Sequence, residues 1–167
     1  NTHSSNKIVH DALKNNLIDE FKNLLEIKPE TKFGTNTRFD FLVLKKKDKS
    51  FIEVKNVTLC RKKEIAEFPD AVTSRGLKHI NELIKASKKN YKIYILYLIQ
   101  RDDCKTFTIA KDIDPNYANA LTKAVKKKLN ILCYDCKFSS KGIKLSNKVK
   151  FKIWRIKILK RHLKKLE

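Results

Sequence analysis

The ten residues Tyr91–Gln100, YKIYILYLIQ, are apolar on both alternating sets of positions. As a strand, such a segment has no face to turn to water and needs cover on both sides. That requirement points to an α/β architecture with this strand near the middle of a sheet. The flanking pattern supplies the cover. FPDAVTSRGLKHINELIKASKKN carries Val72, Gly76, Leu77, Ile80, Leu83 and Ile84 at a period of 3.6, which predicts a helix over 71–88 capped by Asp70. Arg75, Lys78, His79, Glu82 and Lys85 fall largely off that face, and His79 reads as packed or solvent-facing rather than as a metal ligand. IDPNYANALTKAVKKKLN predicts a second helix over 115–128, with Asp114 as cap, Pro115 at the first helical position, and Tyr117, Leu121, Ala124 and Val125 along one side.

SSNKIVHDALKNN predicts a short helix capped by Ser5 or Asn6 that buries Ile8, Val9, Ala12 and Leu13, with LIDEFKNLL as a further turn or two. LEIKPETKF, TRFDFLVL and SFIEVKNVTL read as a three-strand meander, KTFTIA as a short strand, and ILCYDCKF with GIKLS as a closing hairpin. The 167 residues, 41% of them apolar and with only three Gly and three Pro, suit one domain with a sizeable core. No uncharged apolar run approaches the ~18 residues of a membrane span. No signal-peptide pattern opens the chain. The chain holds no Met, so we expect the reading frame to begin upstream.

Cys60, Cys104, Cys133 and Cys136 do not make a secreted disulfide framework. The CYDC pair lies in a strand-like segment and lacks a second pair for zinc. Reduced cysteines and a cytoplasmic location are therefore expected. The formal charge is +21, from 39 Lys and Arg against 18 acids. Such an excess favours partners dense in negative charge, DNA above all. Only six of the 39 are Arg, however, and a chain rich in Lys, Asn and Ile can also reflect biased codon usage. The tail VKFKIWRIKILKRHLKKLE sets Ile156, Leu159, Leu163 and Leu166 at helical spacing among basic residues, a pattern for docking on its own domain or lying on DNA or a membrane surface. No glycine-rich phosphate loop, G-x-S-x-G or H-E-x-x-H occurs, which argues against P-loop hydrolysis, serine hydrolase chemistry and zinc proteolysis.

TRFDFLVLKKKDKSFIEVKNVTL, residues 37–59, contains the chemistry. As a hairpin with its loop at Lys45–Ser50, it pairs Leu44 with Phe51, Leu42 with Glu53 and Asp40 with Lys55. Asp40, Glu53 and Lys55 then share one face, and Phe39, Phe41, Val43, Ile52 and Val54 form the other. Two acids and a base on such a patch have two readings. One is an Asp40–Lys55 cross-strand pair with Glu53 reaching solvent. The other is a Mg²⁺ or Mn²⁺ site in which Asp40, Glu53 and the Val54 carbonyl are ligands and Lys55 faces the attacking water. Arg75 and Lys78, about a turn apart, are candidate phosphate contacts or merely a solvated face. Gln100 and Arg101 end the central strand, where open α/β sheets place ligands, and are candidates to line a DNA-binding cleft.

Asp40 followed by EVK at 53–55, within the order helix, three strands, helix, strand, resembles the PD-(D/E)-x-K restriction-endonuclease-like superfamily. More closely, the chain resembles the bacterial sugar fermentation stimulation protein A family. The likeness rests on NT at 1–2 with Asn6, RFDFL at 38–42, FIEVKNVTL at 51–59, FPDAVTSRGLKH at 68–79, QRDD at 100–103 and DPNYA at 114–118. It implies a restriction-endonuclease-like mixed sheet flanked by helices, over residues 1–153, followed by a basic tail at 154–167 outside the family pattern. It places Asp40 and Glu53 on the family's acidic positions and Lys55 on its lysine. It also implies an N-terminal OB-like domain that this chain lacks. For function it implies a DNA-binding protein: either a magnesium-dependent nuclease, or a non-catalytic regulator of sugar metabolism on a nuclease-like scaffold.

Overall fold

The computed structural model of the protein describes residues 2–152. The expectations for the tail at 154–167 lie outside the described residues. Helix α1 (Thr2–Lys14) is followed by three strands, β1 (Glu26–Phe33), β2 (Thr37–Leu44) and β3 (Lys49–Val57). Next come β4 (Leu59–Lys62), β5 (Ile65–Phe68), α2 (Ser74–Ser87), β6 (Lys92–Ile99), β7 (Thr106–Ile109) and α3 (Pro115–Lys126). The described chain closes with β8 (Leu129–Ser139), β9 (Gly142–Lys148) and β10 (Lys150–Phe151).

The main sheet has six strands in the order β1-β2-β3-β6-β8-β9. β3, β6 and β8 run parallel, and the β1–β2–β3 meander and the β8–β9 hairpin add antiparallel edges. The doubly apolar strand lies inside the sheet, as its pattern requires, and Ile95 through Ile99 are all buried. One core gathers Ile8, Val9, Ala12 and Leu13 of α1 against Ile52, Val54, Leu96 and Leu98. The opposite core gathers Ile80 and Leu83 of α2 and Leu121 and Ala124 of α3 against Phe51, Ile95, Tyr97 and Ile99.

Local details depart from the sequence reading. β3 ends at Val57, and Leu59 starts a separate strand in a second sheet of order β10-β7-β5-β4. Ser5 and Asn6 lie inside α1 rather than capping it. The cap of α2 is Thr73, whose hydroxyl accepts from the Gly76 amide, and not Asp70. The buried face of α2 is Gly76, His79, Ile80, Leu83 and Ala86, while Val72 lies before the helix and is exposed. That stripe is rotated from the one read from apolar residues alone, and it carries His79 inward.

One buried side chain fixes both helices. Asp114 caps α3 by accepting from the Tyr117 amide at 3.0 Å, and its other oxygen accepts from the Thr73 amide at 2.8 Å. Gly76 lets the helices approach: a Cβ there would lie 2.9 Å from Thr73 and 3.1 Å from the Tyr117 ring. Arg61 similarly braces the second sheet, its guanidinium spanning both oxygens of Glu67 and both of Asp112. Replacing Asp114 with Ala removes a cap and leaves a second amide unpaired. The expected loss is about 2–3 kcal/mol in a urea titration with unchanged slope, and Asp114→Asn should lose less.

Candidate functional site

The site lies where two strands stop pairing. The β2–β3 ladder runs Leu44↔Lys49, Val43↔Ser50, Leu42↔Phe51 and Phe41↔Ile52, and ends there. This register differs by two residues from the one expected. A two-residue shift keeps every side chain on its face, so the patterning that set the faces could not set the register. Phe39 and Phe41 nevertheless join opposite cores, Phe39 beside Phe51 and Phe41 beside Ile52. In a regular strand they would share a face. β2 therefore rolls at Asp40, level with Glu30 of β1, whose φ is +50°. The expected single apolar face holding both phenylalanines is corrected accordingly.

The roll aims Asp40 into the gap between the strands. Its Oδ2 accepts from the Val54 amide at 2.8 Å, replacing the missing ladder bond, and its Oδ1 accepts from Asn6 Nδ2 of α1 at 2.9 Å. Glu53, one residue before Val54, is buried and turns toward α2. Its Oε1 lies 2.6 Å from His79 Nδ1 and accepts from Lys55 Nζ at 3.2 Å. Lys55 Nζ also lies 3.1 Å from His79 Nδ1. The expected Asp40–Lys55 pairing is thus replaced: Lys55 pairs with Glu53, and Asp40 is held by a backbone amide and an asparagine.

The electrostatics separate the two acids. Burial, then the charge of Glu53, push the Asp40 carboxyl up to about 6, against the pull of Val54, Asn6 and Lys55. Burial pushes Glu53 upward too, but the hydrogen bond from His79 and the charges of Lys55 and His79 outweigh it and hold Glu53 below its ordinary value. Among the described residues, two buried side-chain oxygens keep no partner: Glu53 Oε2 and Asn6 Oδ1. Glu67, the buried glutamate of the second sheet, has both oxygens engaged by Arg61 instead. A carboxylate with one buried free oxygen, beside a second carboxylate, fits a hard divalent cation. Among the described residues no group of three or more His, Cys, Asp or Glu gathers as a metal cluster.

Arg75 and Lys78 lie exposed on α2, and Lys78 Nζ donates to the Asn36 carbonyl of the β1–β2 turn. Gln100 is half-buried and bonds to Ser5 Oγ and Asn56 Oδ1, fastening α1 to the ends of β3 and β6. Arg101 is engaged by Asp103 and by the Thr58 carbonyl, in a cleft of about 520 Å³ lined also by Cys60, Arg61 and Lys105. Neither Asp40 nor Glu53 lines that cleft. Sequence reasoning set His79 off the apolar face of α2 and read it as packed or solvent-facing; it is packed, on the buried face and against Glu53. Its signal was its spacing of three from Gly76 and four from Leu83, on the stripe that α2 buries.

Because its carboxyl is raised from 3.8 to about 6, native Asp40 holds its proton more tightly than the unfolded chain does. Its contribution to stability therefore falls as pH rises from about 4 to about 6, and stays lost above that. Asparagine offers the same acceptor to Val54 and an N–H for Asn6 Oδ1 without the charge. In metal-free buffer Asp40→Asn should stabilise the fold by about 2 kcal/mol at pH 7.5, with the gain vanishing near pH 4 in paired urea titrations.

Residues 3–142 match the family described as "SfsA: Sugar fermentation stimulation protein RE domain". The chain is 53% identical over 150 residues to the "Sugar fermentation stimulation protein homolog" of Pelagibacter ubique, covering 90% of this chain and 65% of that protein. It is 39% identical over 160 residues to the homolog of Agrobacterium fabrum, covering 95% and 67%. The fold superposes on a solved structure described as "The structure of Pyrococcus Furiosus SfsA in complex with Ca2+" with a TM-score of 0.84 at 27% identity, over 92% of this chain and 66% of that one. This chain thus spans about two thirds of the length of these relatives. Matched across most of its length by sequence and by fold, the chain belongs to the sugar fermentation stimulation protein (SfsA) family.

Proposed function

We propose that this domain binds DNA and hydrolyses its phosphodiester bonds with Mg²⁺ or Mn²⁺. The observation that carries this reading is the free buried Oε2 of Glu53 beside Asp40 at the strand gap. The Ca²⁺ named for the Pyrococcus relative supports it, since calcium and magnesium both take oxygen ligands. Asp40 and Glu53 would hold the cation, with the Val54 carbonyl as a third oxygen. The bound ion would supply a polarised phosphate and a more acidic water. Lys55, paired with Glu53, orients the attacking water and offsets negative charge growing on the phosphate. Arg75 and Lys78 on α2 contact flanking phosphates, and the +21 charge draws the polyanion in. Gln100 acts by fastening α1, which carries Asn6 to Asp40, and Arg101 contributes charge from the neighbouring cleft.

A second reading is a DNA-binding regulator of sugar metabolism that leaves its site idle, and the name shared by the curated relatives favours it. We place the protein in the cytoplasm, on the four free cysteines. No described helix is long and apolar enough to cross a membrane.

DNA retention should weaken with salt, log K falling against log salt at about −4 to −5 for four to six phosphates contacted. A flat titration contradicts DNA binding. Incubation with single- and double-stranded DNA should give cleavage only with Mg²⁺ or Mn²⁺, and Lys55→Ala should lose about 100-fold or more while still binding. Binding without cleavage under either metal selects the regulator reading.

A further inference from the structure

We propose that His79 is a positioning residue of this site. It holds Glu53 by one oxygen so that the other is presented to the cation. The inference rests on the metal reading above and goes beyond it, because it assigns a role on α2 to a residue outside the Asp40, Glu53, Lys55 set.

His79 Nδ1 meets two groups, Glu53 Oε1 and Lys55 Nζ. Glu53 Oε1 and His79 Nδ1 are 2.6 Å apart, hydrogen-bond distance when the ring carries its proton on Nδ1. A carboxylate oxygen has none to give, so the Nδ1–H donates. The same oxygen accepts from Lys55 Nζ at 3.2 Å. Oε1 therefore takes two donors on the α2 side, and Oε2 is left buried and free. In the other tautomer Nδ1 would accept from Lys55 Nζ at 3.1 Å, and His79 would reach Glu53 only through that lysine.

The backbone makes this hold stiff. His79 is buried on the stripe that packs α2 on the sheet, one turn beyond the Thr73 cap and Gly76. The helix is braced at that end by Asp114 and at Lys78 by the Asn36 carbonyl. A histidine needed only to fill space there would be served as well by an apolar residue, as at Ile80 and Leu83. A buried carboxylate without its short donor would turn its free oxygen toward Lys55 and away from the cation.

The test is Mn²⁺ titration calorimetry on the full chain, with thermal unfolding measured in parallel. It compares wild type with His79→Asn, His79→Gln and His79→Leu. An asparagine amide nitrogen stands where Nδ1 stands, whereas a glutamine amide stands nearer Nε2. We expect His79→Leu and His79→Gln to weaken Mn²⁺ about 10–100-fold, and His79→Asn to recover to within about 3-fold of wild type. Equal affinity in all four proteins overturns the positioning role and leaves the metal reading intact. So does a loss that follows thermal stability rather than the amide position, the mark of a packing role. A wild-type chain that binds no Mn²⁺ overturns the metal reading itself, and this role with it.

Discussion

The Val54 amide is where the architecture of the site begins. The β2–β3 ladder ends at Phe41↔Ile52, so this amide has no strand partner beside it. Leaving a buried donor unpaired costs about 1–3 kcal/mol, and Asp40 supplies the acceptor. To do so β2 must roll, which sends Phe39 to one core and Phe41 to the other. The roll brings an acid beside Glu53 on the next strand, and α1 supplies Asn6 to steady it. The gap between the strands, the raised Asp40 carboxyl and the free Glu53 oxygen are consequences of one interrupted ladder.

The remaining elements act as supports for that gap. Parallel pairing of β3 with β6 fixes Glu53, Val54 and Lys55 against the most buried strand in the sheet. Asp114 ties the start of α2 to the start of α3, which sets the height at which His79 meets Glu53. On the other face, Gln100 reaches from the end of β6 to Ser5, one residue before Asn6. Each acid is therefore steadied by a helix on a different face of the sheet. This is the physical sense in which a sheet covered on both sides can hold two like charges close together.

Much of this was legible in the sequence, and the gaps have specific causes. Tyr91–Gln100 revealed a covered central strand because no alternation was left to face water. Asp114 and Pro115 revealed the start of α3 because capping is local. The faces of the Thr37–Val57 hairpin were mostly legible, yet its register was not, since a shift of two preserves parity. Phe39 escaped because a roll in a strand leaves no mark on composition. The second sheet escaped because β4 and β5 are four residues each, and Cys60, Arg61 and Lys62 do not alternate as a half-buried strand would. The contact of His79 with Glu53 escaped because an apolar stripe was sought, and the buried stripe of α2 includes a polar residue whose partner lies 26 positions earlier.

The account rests on Asp40 and Glu53 being cation ligands rather than a strained ion-pair patch. The direct measurement is anomalous diffraction from crystals of the protein equilibrated with Mn²⁺ at neutral pH. The account predicts one strong peak in the gap between β2 and β3, within about 2.3 Å of an Asp40 oxygen and of Glu53 Oε2. Crystals that show no peak there at saturating Mn²⁺, with Glu53 Oε2 turned onto Lys55 or onto water, would contradict it.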